Sequence, residues 1–357
     1  MNGWLLFEPA GCLDQGQGRS GFRNGSKIEW LSREKTGKLP ACHPLEHPAC
    51  APYTRGVVPI RALLIERIRA LSRPAPPWGP LAPPWGPLAE RLFPLPGIRA
   101  VLFDVYGTLF LTGRGGEGAM AAALEVAGFS LLHPGAAARA AAVFRRTLGE
   151  AREARRRQGV AWPEVEIREV WTRTLSALLE EGAVSGRPDR EALELVAVEY
   201  ECRSNPVWPA AGLRKSLEGL GRACVLGIVS NAQFYTELLF PALIGRSLRE
   251  LGFAEELCFW SYRLLEAKPS PLLLTRALEI LRLRYGIRAG ETLCVGNGLE
   301  EDIHPAAEAG CRTALFTGQQ SRLEGPEQAA GSSPRPDLIL NRLSHLRPLL
   351  SPRRRGR

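Results

Sequence analysis

One segment, residues 101–109, constrains the fold of this chain more than any other part of the sequence. Its sequence is Val-Leu-Phe-Asp-Val-Tyr-Gly-Thr-Leu, an apolar run that ends at the carboxylate of Asp104 and is followed by Gly107. Such a β-branched and aromatic run predicts a buried strand, and the glycine predicts a turn after it. In open α/β sheets the chemistry lies at the carboxyl ends of the strands. We therefore expect Asp104 to lie at the functional edge of a sheet.

The region 98–345 alternates between strand-like and helical segments. Five further apolar runs predict strands, at residues 225–229, 257–260, 292–295, 313–316 and 337–340. Strands that alternate with helices predict a parallel, doubly wound α/β sheet. Residues 119–203 instead carry helical spacing in Ala, Leu, Glu and Arg, and they predict about four helices inserted after the first strand.

Polar side chains follow four of these predicted strands. In chain order they are Asp104, Ser230 with Asn231, Lys268, and Asn297 with Asp302. The carboxyl ends of parallel strands meet at one edge of the sheet, so these residues are expected to converge. A carboxylate can act as a nucleophile, and an ammonium group can stabilise the negative charge that develops during the reaction.

These segments resemble the four motifs of the haloacid dehalogenase-like (HAD) hydrolase superfamily. The motifs are residues 103–109, 228–231, 267–269 and 295–303. The resemblance extends over 98–341. It implies a Rossmann-like HAD core at 98–111 and 208–345, and a helical cap at 112–207 that closes over Asp104.

The resemblance also implies a role for each residue of the motifs. Asp104 is expected to be the nucleophile that forms a covalent aspartyl intermediate. Lys268 is expected to supply the cation, and Asp302 to hold that lysine or to lie near a metal. The groups expected to bind the oxygens of the substrate are Thr108, Ser230 and Asn231.

Two positions depart from the pattern of the family's phosphatases. Tyr106 stands where those enzymes carry a second aspartate as general acid and base, and a phenol is a poor base at neutral pH. The same Asp-x-Tyr-Gly-Thr pattern is similar to that of the family's 2-haloacid dehalogenases, where the halide leaves without protonation. Asn297 replaces a carboxylate in the last motif. Asp104, the Tyr106 carbonyl and the Asn297 amide still offer Mg²⁺ three oxygen ligands, so we expect a weakened magnesium site.

Three hypotheses for the function follow from these residues. The first is a HAD-like hydrolase that acts on a small phosphate ester through an aspartyl intermediate. The second is a 2-haloacid dehalogenase-like hydrolase of carbon–halogen bonds. The third is a degenerate HAD fold that binds a ligand with little turnover, which the loss of both carboxylates suggests.

The net charge of +9 lies at the ends of the chain. Residues 1–97 contain 12 Lys and Arg against 7 Asp and Glu, and residues 342–357 contain six Arg and no acid. The body between them, with 28 basic and 30 acidic residues, carries no broad basic surface, so we expect a small-molecule substrate and no nucleic acid.

No apolar run approaches the roughly 20 residues of a membrane span, so no membrane partner is expected. Eight scattered cysteines favour the cytoplasm.

The two ends are predicted to differ from the body. Residues 1–97 are predicted to be a poorly ordered extension with a linker, since the heptad Ala-Pro-Pro-Trp-Gly-Pro-Leu occurs twice in tandem at 75–88. Within it, 60–71 carries apolar residues at helical spacing, which predicts a helix packed on the main domain, or less favourably one on a membrane surface. Residues 346–357 are predicted to form a basic tail.

Overall fold

The computed structural model describes residues 59–72, 90–113, 115–318 and 335–350, which all belong to one compact unit. The tandem heptad, the basic residues after 350 and most of the N-terminal extension lie outside these described residues. The predictions made for them stay predictions.

Ten strands occur in the described residues. They are β1 (Ala100–Phe103), β2 (Phe110–Thr112), β3 (Ser130–Leu131), β4 (Val184–Ser185), β5 (Val207–Pro209), β6 (Val225–Ser230), β7 (Phe253–Trp260), β8 (Thr292–Gly296), β9 (Arg312–Phe316) and β10 (Leu338–Leu340). Six of them form one sheet in the order β10-β9-β8-β1-β6-β7, and every neighbouring pair is parallel. The predicted parallel α/β sheet is confirmed.

The helices of the described residues cover this sheet and build a separate insert. They are α1 (Ile60–Leu71), α2 (Ala119–Val126), α3 (Ala136–Arg157), α4 (Ile167–Glu180), α5 (Arg190–Ser204), α6 (Leu213–Leu220), α7 (Ser261–Leu264), α8 (Leu272–Tyr285), α9 (His304–Glu308) and α10 (Leu346–Leu350). Among these described helices, none combines the length and the apolar character that crossing a membrane requires.

The position of β1 in the sheet determines where the polar strand ends meet. β1 pairs with β6 on one side and with β8 on the other, and all four of its residues are buried. A central strand covered on both faces needs a continuous apolar run, which explains its Ala-Val-Leu-Phe sequence. The chain proceeds outward from β1 in both directions, so a crevice forms at the carboxyl ends of β1, β6 and β8.

Helix α8 shows how the helices close the core over the sheet. Leu273, Ala277 and Leu281 recur every fourth residue, so they share one face of the helix, and all three are fully buried. They belong to one apolar cluster with Ala100 of β1 and Leu257 of β7. Packing of this face holds the strands in place, and with them the residues at the strand ends.

Helices α2 to α5, residues 119–204, form what we call the helical insert. The chain leaves the core through β2 and returns through β5, and these two strands pair antiparallel. The insert has its own aromatic core, in which the rings of Phe144, Trp171 and Tyr200 contact one another at centroid distances of 4.5–5.5 Å. The four helices agree with the predicted number. The β2–β5 ribbon and the short β3–β4 pair have no counterpart in the sequence-based expectation.

Helix α1 matches the predicted bounds and is packed on the protein. Leu64 and Ile68, four residues apart, are buried. Arg67 forms an ion pair with the fully buried Glu199 of α5, and the Arg69 guanidinium donates a hydrogen bond to the carbonyl oxygen of Ala242, 3.1 Å away. Helix α1 therefore contacts both the insert and the core.

We expect Leu64→Ala to lower the melting temperature, because it opens a cavity where α1 packs. Truncation of a buried leucine costs about 2–5 kcal/mol, which corresponds to roughly 4 °C or more for a protein of this size. Glu66→Ala, on the exposed face of the same helix, is the control. Differential scanning calorimetry of both variants measures the effect. Equal melting temperatures would contradict the packing of α1.

Candidate active site

Asp104 lies at the centre of the candidate site, one residue beyond the end of β1. Its backbone N–H donates to the carbonyl oxygen of Val295 in β8 at 2.9 Å, so the chain stays held to the sheet up to this residue. The sequence predicts that Asp104 lies at the functional edge of the sheet, and says nothing of its burial. The structure buries it, with 8% of the residue exposed.

Lys268 lies between two carboxylates. Its Nζ donates to Asp104 Oδ1 at 2.8 Å and also to Asp302 Oδ1. All three residues come from different strand ends, and the two carboxylates and the ammonium are nearly inaccessible to solvent. Buried charges require partners, and here one cation serves two anions.

Two hydroxyl groups complete the surroundings of the Asp104 carboxylate. Ser230 Oγ, at the end of β6, donates to Asp104 Oδ1 at 3.2 Å. Thr108 Oγ1 lies 3.2 Å from Asp104 Oδ2 and 3.3 Å from the amide oxygen of Asn297. A hydroxyl carries one proton, so Thr108 can donate to only one of these oxygens at a time.

The Asn231 side chain holds the backbone of Lys268 rather than its ammonium. Asn231 Oδ1 accepts from the Lys268 N–H at 2.7 Å, and Asn231 Nδ2 donates to the Lys268 carbonyl oxygen at 3.2 Å. The peptide bond that follows, between Lys268 and Pro269, is cis. Because both ends of the Asn231 amide are engaged, its backbone is the part that stays a candidate for substrate binding.

Two glycines allow the close approach of these side chains. A Cβ atom on Gly296, at the end of β8, would lie 2.3 Å from the carboxyl carbon of Asp302. A Cβ on Gly107, which has a φ of +83°, would lie 2.5 Å from the amide nitrogen of Asn297. The site therefore depends on hydrogen atoms at both positions, and Gly107 also relieves the left-handed backbone.

Burial and the neighbouring charges set the protonation of the central pair. Burial raises the pKa of Asp104 to about 6, and the Lys268 ammonium opposes that rise. Burial alone would lower the pKa of Lys268, but the charges of Asp104 and Asp302 outweigh it and raise that pKa above its ordinary value. Near neutral pH the site therefore contains an ionised Asp104 beside a protonated Lys268.

The Tyr106 hydroxyl is unsuited to acid–base catalysis at neutral pH, because it keeps its proton. The hydroxyl lies 2.9 Å from Thr236 Oγ1. Burial raises the pKa of Tyr106 well above its ordinary value, and the nearby charge of Glu201 raises it further. The group therefore stays a neutral phenol over the physiological range.

Two carboxyl groups of the helical insert, the buried Glu164 and the half-buried Glu201, carry no signal in the sequence and were not predicted. Burial raises the pKa of Glu164 and of Glu201 to about 7 each. Glu201, on α5, accepts from Asn205 Nδ2 at 3.2 Å. No motif marks either residue, and only the contact of the insert with the core removes them from water.

The oxygen ligands predicted for magnesium are partly brought together. The Asp104 carboxylate and the Asn297 amide oxygen both lie within hydrogen-bond distance of the Thr108 hydroxyl, at 3.2 Å and 3.3 Å. Within the described residues, no group of three or more His, Cys, Asp and Glu side chains is arranged to hold a metal ion. The donors near Asp104 are hard oxygens, which suit Mg²⁺ in kind, while Asp302 is committed to Lys268.

We expect Gly296→Ala to destabilise the protein although alanine normally favours a strand over glycine. The added methyl group would overlap Asp302 and separate it from Lys268, and overpacking of this kind costs about 1–3 kcal/mol. Gly290→Ala is the control, since its Cβ would meet its nearest neighbour only at 3.9 Å. Chemical denaturation measures the free energy of unfolding. A Gly296→Ala variant as stable as the control would disprove the close packing.

The family model of haloacid dehalogenase-like hydrolases matches residues 98–310. Solved structures with a similar fold include YfnB from Bacillus subtilis, a HAD-hydrolase bound to magnesium (19% identity, 71% of this chain and 98% of that chain, TM-score 0.41). They also include 2-haloacid dehalogenase from Pseudomonas syringae (23%, 71% and 97%, 0.44) and a HAD phosphatase from Thermococcus onnurineus (19%, 71% and 97%, 0.36). No curated protein sequence matches significantly.

The family match covers the region in which the site was found. It begins two residues before β1 and ends after α9, so it contains all four polar strand ends and the helical insert. On this match, the chain belongs to the haloacid dehalogenase-like hydrolase family.

Proposed function

We propose that this hydrolase cleaves a small phosphate monoester through a covalent intermediate on Asp104. One observation carries the proposal: the side chain of Asp104, at the end of the central strand, lies 2.8 Å from the buried ammonium group of Lys268. Three donors, Lys268 and the hydroxyls of Ser230 and Thr108, surround that carboxylate. Several donors around one nucleophile suit a transferring group that has several anionic oxygens.

In the first step an oxygen of Asp104 attacks phosphorus. The bond from phosphorus to the ester oxygen breaks, and its electron pair leaves with the alcohol fragment. An aspartyl phosphate forms, which divides one difficult displacement into two easier ones. Lys268 stabilises the charge that spreads over the phosphoryl oxygens, and Asp302 keeps the ammonium in place.

In the second step water attacks the phosphorus of the aspartyl phosphate. The bond between phosphorus and Asp104 breaks, inorganic phosphate leaves and the free carboxylate returns. The helical insert acts in this proposal as a cap that excludes other water while the intermediate exists.

Tyr106 limits which leaving groups the enzyme can use. It replaces the carboxyl group that would protonate the leaving oxygen, and its phenol keeps its proton at neutral pH. The proposed substrates are therefore monoesters whose leaving group is stable as an anion, such as aryl phosphates. Acyl phosphates, which are mixed anhydrides, share this property of the leaving group. Alkyl phosphates, which need a proton at the leaving oxygen, should react slowly.

A magnesium ion is part of this proposal. The Asp104 carboxylate, the Asn297 amide oxygen and the Tyr106 carbonyl would hold it, with water at its other positions. When bound it would neutralise charge on the phosphoryl oxygens. With Asn297 in place of a carboxylate, this chain supplies less negative charge to the ion, so weak binding is expected.

Hydrolysis of a carbon–halogen bond is the second candidate, and Tyr106 is the observation that favours it. Asp104 would attack the carbon atom that bears the halogen, and the halide would leave without needing a proton. Water would then cleave the resulting ester. This reaction needs neither a second carboxylate nor a metal. Tyr106 and Asn297, the two departures from the phosphatase pattern, would therefore not slow it.

We expect Asp104→Asn to abolish turnover and leave the fold intact. Lys268 keeps Asp302 as its partner, so the substitution leaves no unpaired buried charge. The measurement is a panel of para-nitrophenyl phosphate, acetyl phosphate and 2-chloropropionate, each with and without Mg²⁺. Glu300→Gln, an exposed acid near the site, is the control.

The panel separates the candidates. Aryl phosphate turnover that disappears in Asp104→Asn supports the proposal, whereas turnover of 2-chloropropionate alone supports the second candidate. Turnover retained by Asp104→Asn would refute the aspartyl mechanism. A folded protein inactive on the whole panel would favour the binding function.

We expect Tyr106→Asp to raise the hydrolysis of para-nitrophenyl phosphate. General acid–base catalysis is worth about 10²–10⁴-fold in favourable sites, so even partial recovery should be roughly tenfold. Asn297→Asp should add to this gain only in the presence of Mg²⁺, because it restores a charged oxygen ligand. Tyr106→Asn, which adds no acid, is the control and should gain nothing. A folded double variant no faster than the parent would show that the missing carboxylates do not limit the rate.

A further inference from the structure

One segment of the helical insert, residues 162–167, lies directly on the loop that leads to Lys268. The Ala267 N–H donates to the Trp162 carbonyl oxygen at 2.8 Å, and the Glu164 N–H donates to the Leu265 carbonyl oxygen at 3.2 Å. Ala267 immediately precedes Lys268 in the chain. The insert thus contacts the backbone next to the residue that supplies the cation.

Glu164 stands at the centre of this contact and is buried, with 2% of the residue exposed. Its Oε2 accepts from the Ser261 hydroxyl at 2.8 Å. Its Oε1 accepts from the Val165 N–H at 2.9 Å and from Gln233 Nε2 at 3.3 Å. The proposed chemistry makes no use of this carboxyl group, yet three donors converge on it.

Gln233 and Ser261 connect Glu164 to the two catalytic loops of the core. Gln233 follows Asn231 by two residues. Its Nε2 also donates to the Val165 carbonyl oxygen at 2.8 Å, and its Oε1 accepts from the Ile167 N–H at 3.0 Å. The Ser261 hydroxyl accepts from the N–H of Ala232, the residue after Asn231, at 2.9 Å.

We propose that Glu164, Gln233 and Ser261 form a latch that fixes the helical insert on the core and thereby positions Lys268 and Asn231. Glu164 is a positioning residue in this arrangement, because it acts through the loops and touches no reacting atom. The structural part of the inference stands on the hydrogen bonds alone. Only its catalytic readout rests on the proposed function.

The latch can form with Glu164 in either protonation state. When Glu164 is ionised, Ser261 donates to it. When Glu164 is protonated, its O–H can donate to Ser261 Oγ, and the Ser261 hydroxyl can turn to the Ala232 carbonyl oxygen, which lies 3.3 Å away. A hydroxyl that can reverse its direction lets the contact survive a change in charge.

The charge on Glu164 nevertheless affects how strongly the latch holds. Its hydrogen-bond partners are neutral, and Arg152 of α3 is the cation whose field reaches it. The neighbouring carboxylates, Glu166 and Glu266, are engaged with Arg168 and with Ser270. Burial therefore outweighs the field of Arg152 and the hydrogen bonds to Glu164, and the pKa of Glu164 is raised.

The direction of the pH effect follows from this burial. Burial raises the pKa of Glu164 in the closed form to about 7 from an ordinary value of 4.5, so the closed form binds the proton more tightly than an open, solvated one. The proton on Glu164 therefore contributes free energy to closure. This contribution is fully present below pH 4.5, decreases as the pH rises, and is lost above pH 7. Between pH 5 and pH 8 the ratio of closed to open form should fall by up to about 100-fold.

Hydrogen–deuterium exchange of the full chain, measured by mass spectrometry, tests the latch without any substrate. The peptides that cover 162–167 and 263–268 report on the contact, and the peptide that covers β8 reports on the sheet. Glu164→Ala removes the carboxyl group. Glu164→Gln keeps both an acceptor and a donor and carries no charge. Glu169→Gln, at an exposed position on the same insert, is the matched control.

In Glu164→Ala we expect protection factors at the contact to fall at least tenfold, with β8 unchanged. Glu164→Gln should keep the protection of the parent at pH 5 and lose its dependence on pH. Protection in Glu164→Ala equal to that in Glu169→Gln would overturn the latch. A uniform loss that includes β8 would also overturn it, since Glu164 would then only stabilise the fold. A pH dependence that persists in Glu164→Gln would overturn the role of its charge.

Kinetics with para-nitrophenyl phosphate and Mg²⁺ tests the positioning role separately. Glu164→Ala should lower kcat more than it raises KM, because a displaced Lys268 weakens the transition state more than the bound substrate. Glu164→Gln should restore kcat. A local loss of protection without an effect on kcat would leave a latch that positions nothing and would refute the catalytic part. Failure of the aspartyl mechanism would appear in Asp104→Asn and leave the exchange result intact.

Discussion

The site depends on the ion pairs that the buried Lys268 ammonium forms with two carboxylates. The ammonium lies between Asp104, which follows the central strand β1, and Asp302, which follows the neighbouring strand β8, and all three are removed from water. Leaving a charge unpaired in such surroundings costs about 3–5 kcal/mol, which is a large share of a domain's net stability. The two carboxylates are therefore structural partners as well as chemical groups, and each can hold the cation when the other changes during a reaction.

Several neighbours serve to place that ammonium. Asn231 fixes the backbone of Lys268 from β6, Gly296 makes room for Asp302 at the end of β8, and the helical insert contacts Ala267. These contacts come from three separate parts of the chain. The position of one nitrogen atom is thus determined by the packing of the core and also by how the insert lies on it.

The sequence predicts the sheet and its polar edge because both have local signals. A strand buried on both faces needs an unbroken apolar run, and β1, β6 and β8 each carry one that ends at a polar residue. The side-chain contacts have no such signal. The Asn231 amide binds the backbone of Lys268. Glu164 accepts a hydrogen bond from Ser261, which is 97 residues away in the sequence. Spacing and composition do not reveal contacts between residues so distant, and the same reason hides the burial of Asp104 and the β2–β5 ribbon.

The distribution of titratable groups separates this chain from a phosphatase built on two core carboxylates. At the position of the second carboxylate the core has Tyr106, whose pKa burial raises well above its ordinary value. Among the described residues, Glu164 and Glu201 have a pKa raised to about 7, both belong to the helical insert, and both owe that rise first to burial. Their burial depends on where the insert lies. A change of rate with pH that disappears in Glu164→Gln would therefore report on closure of the insert.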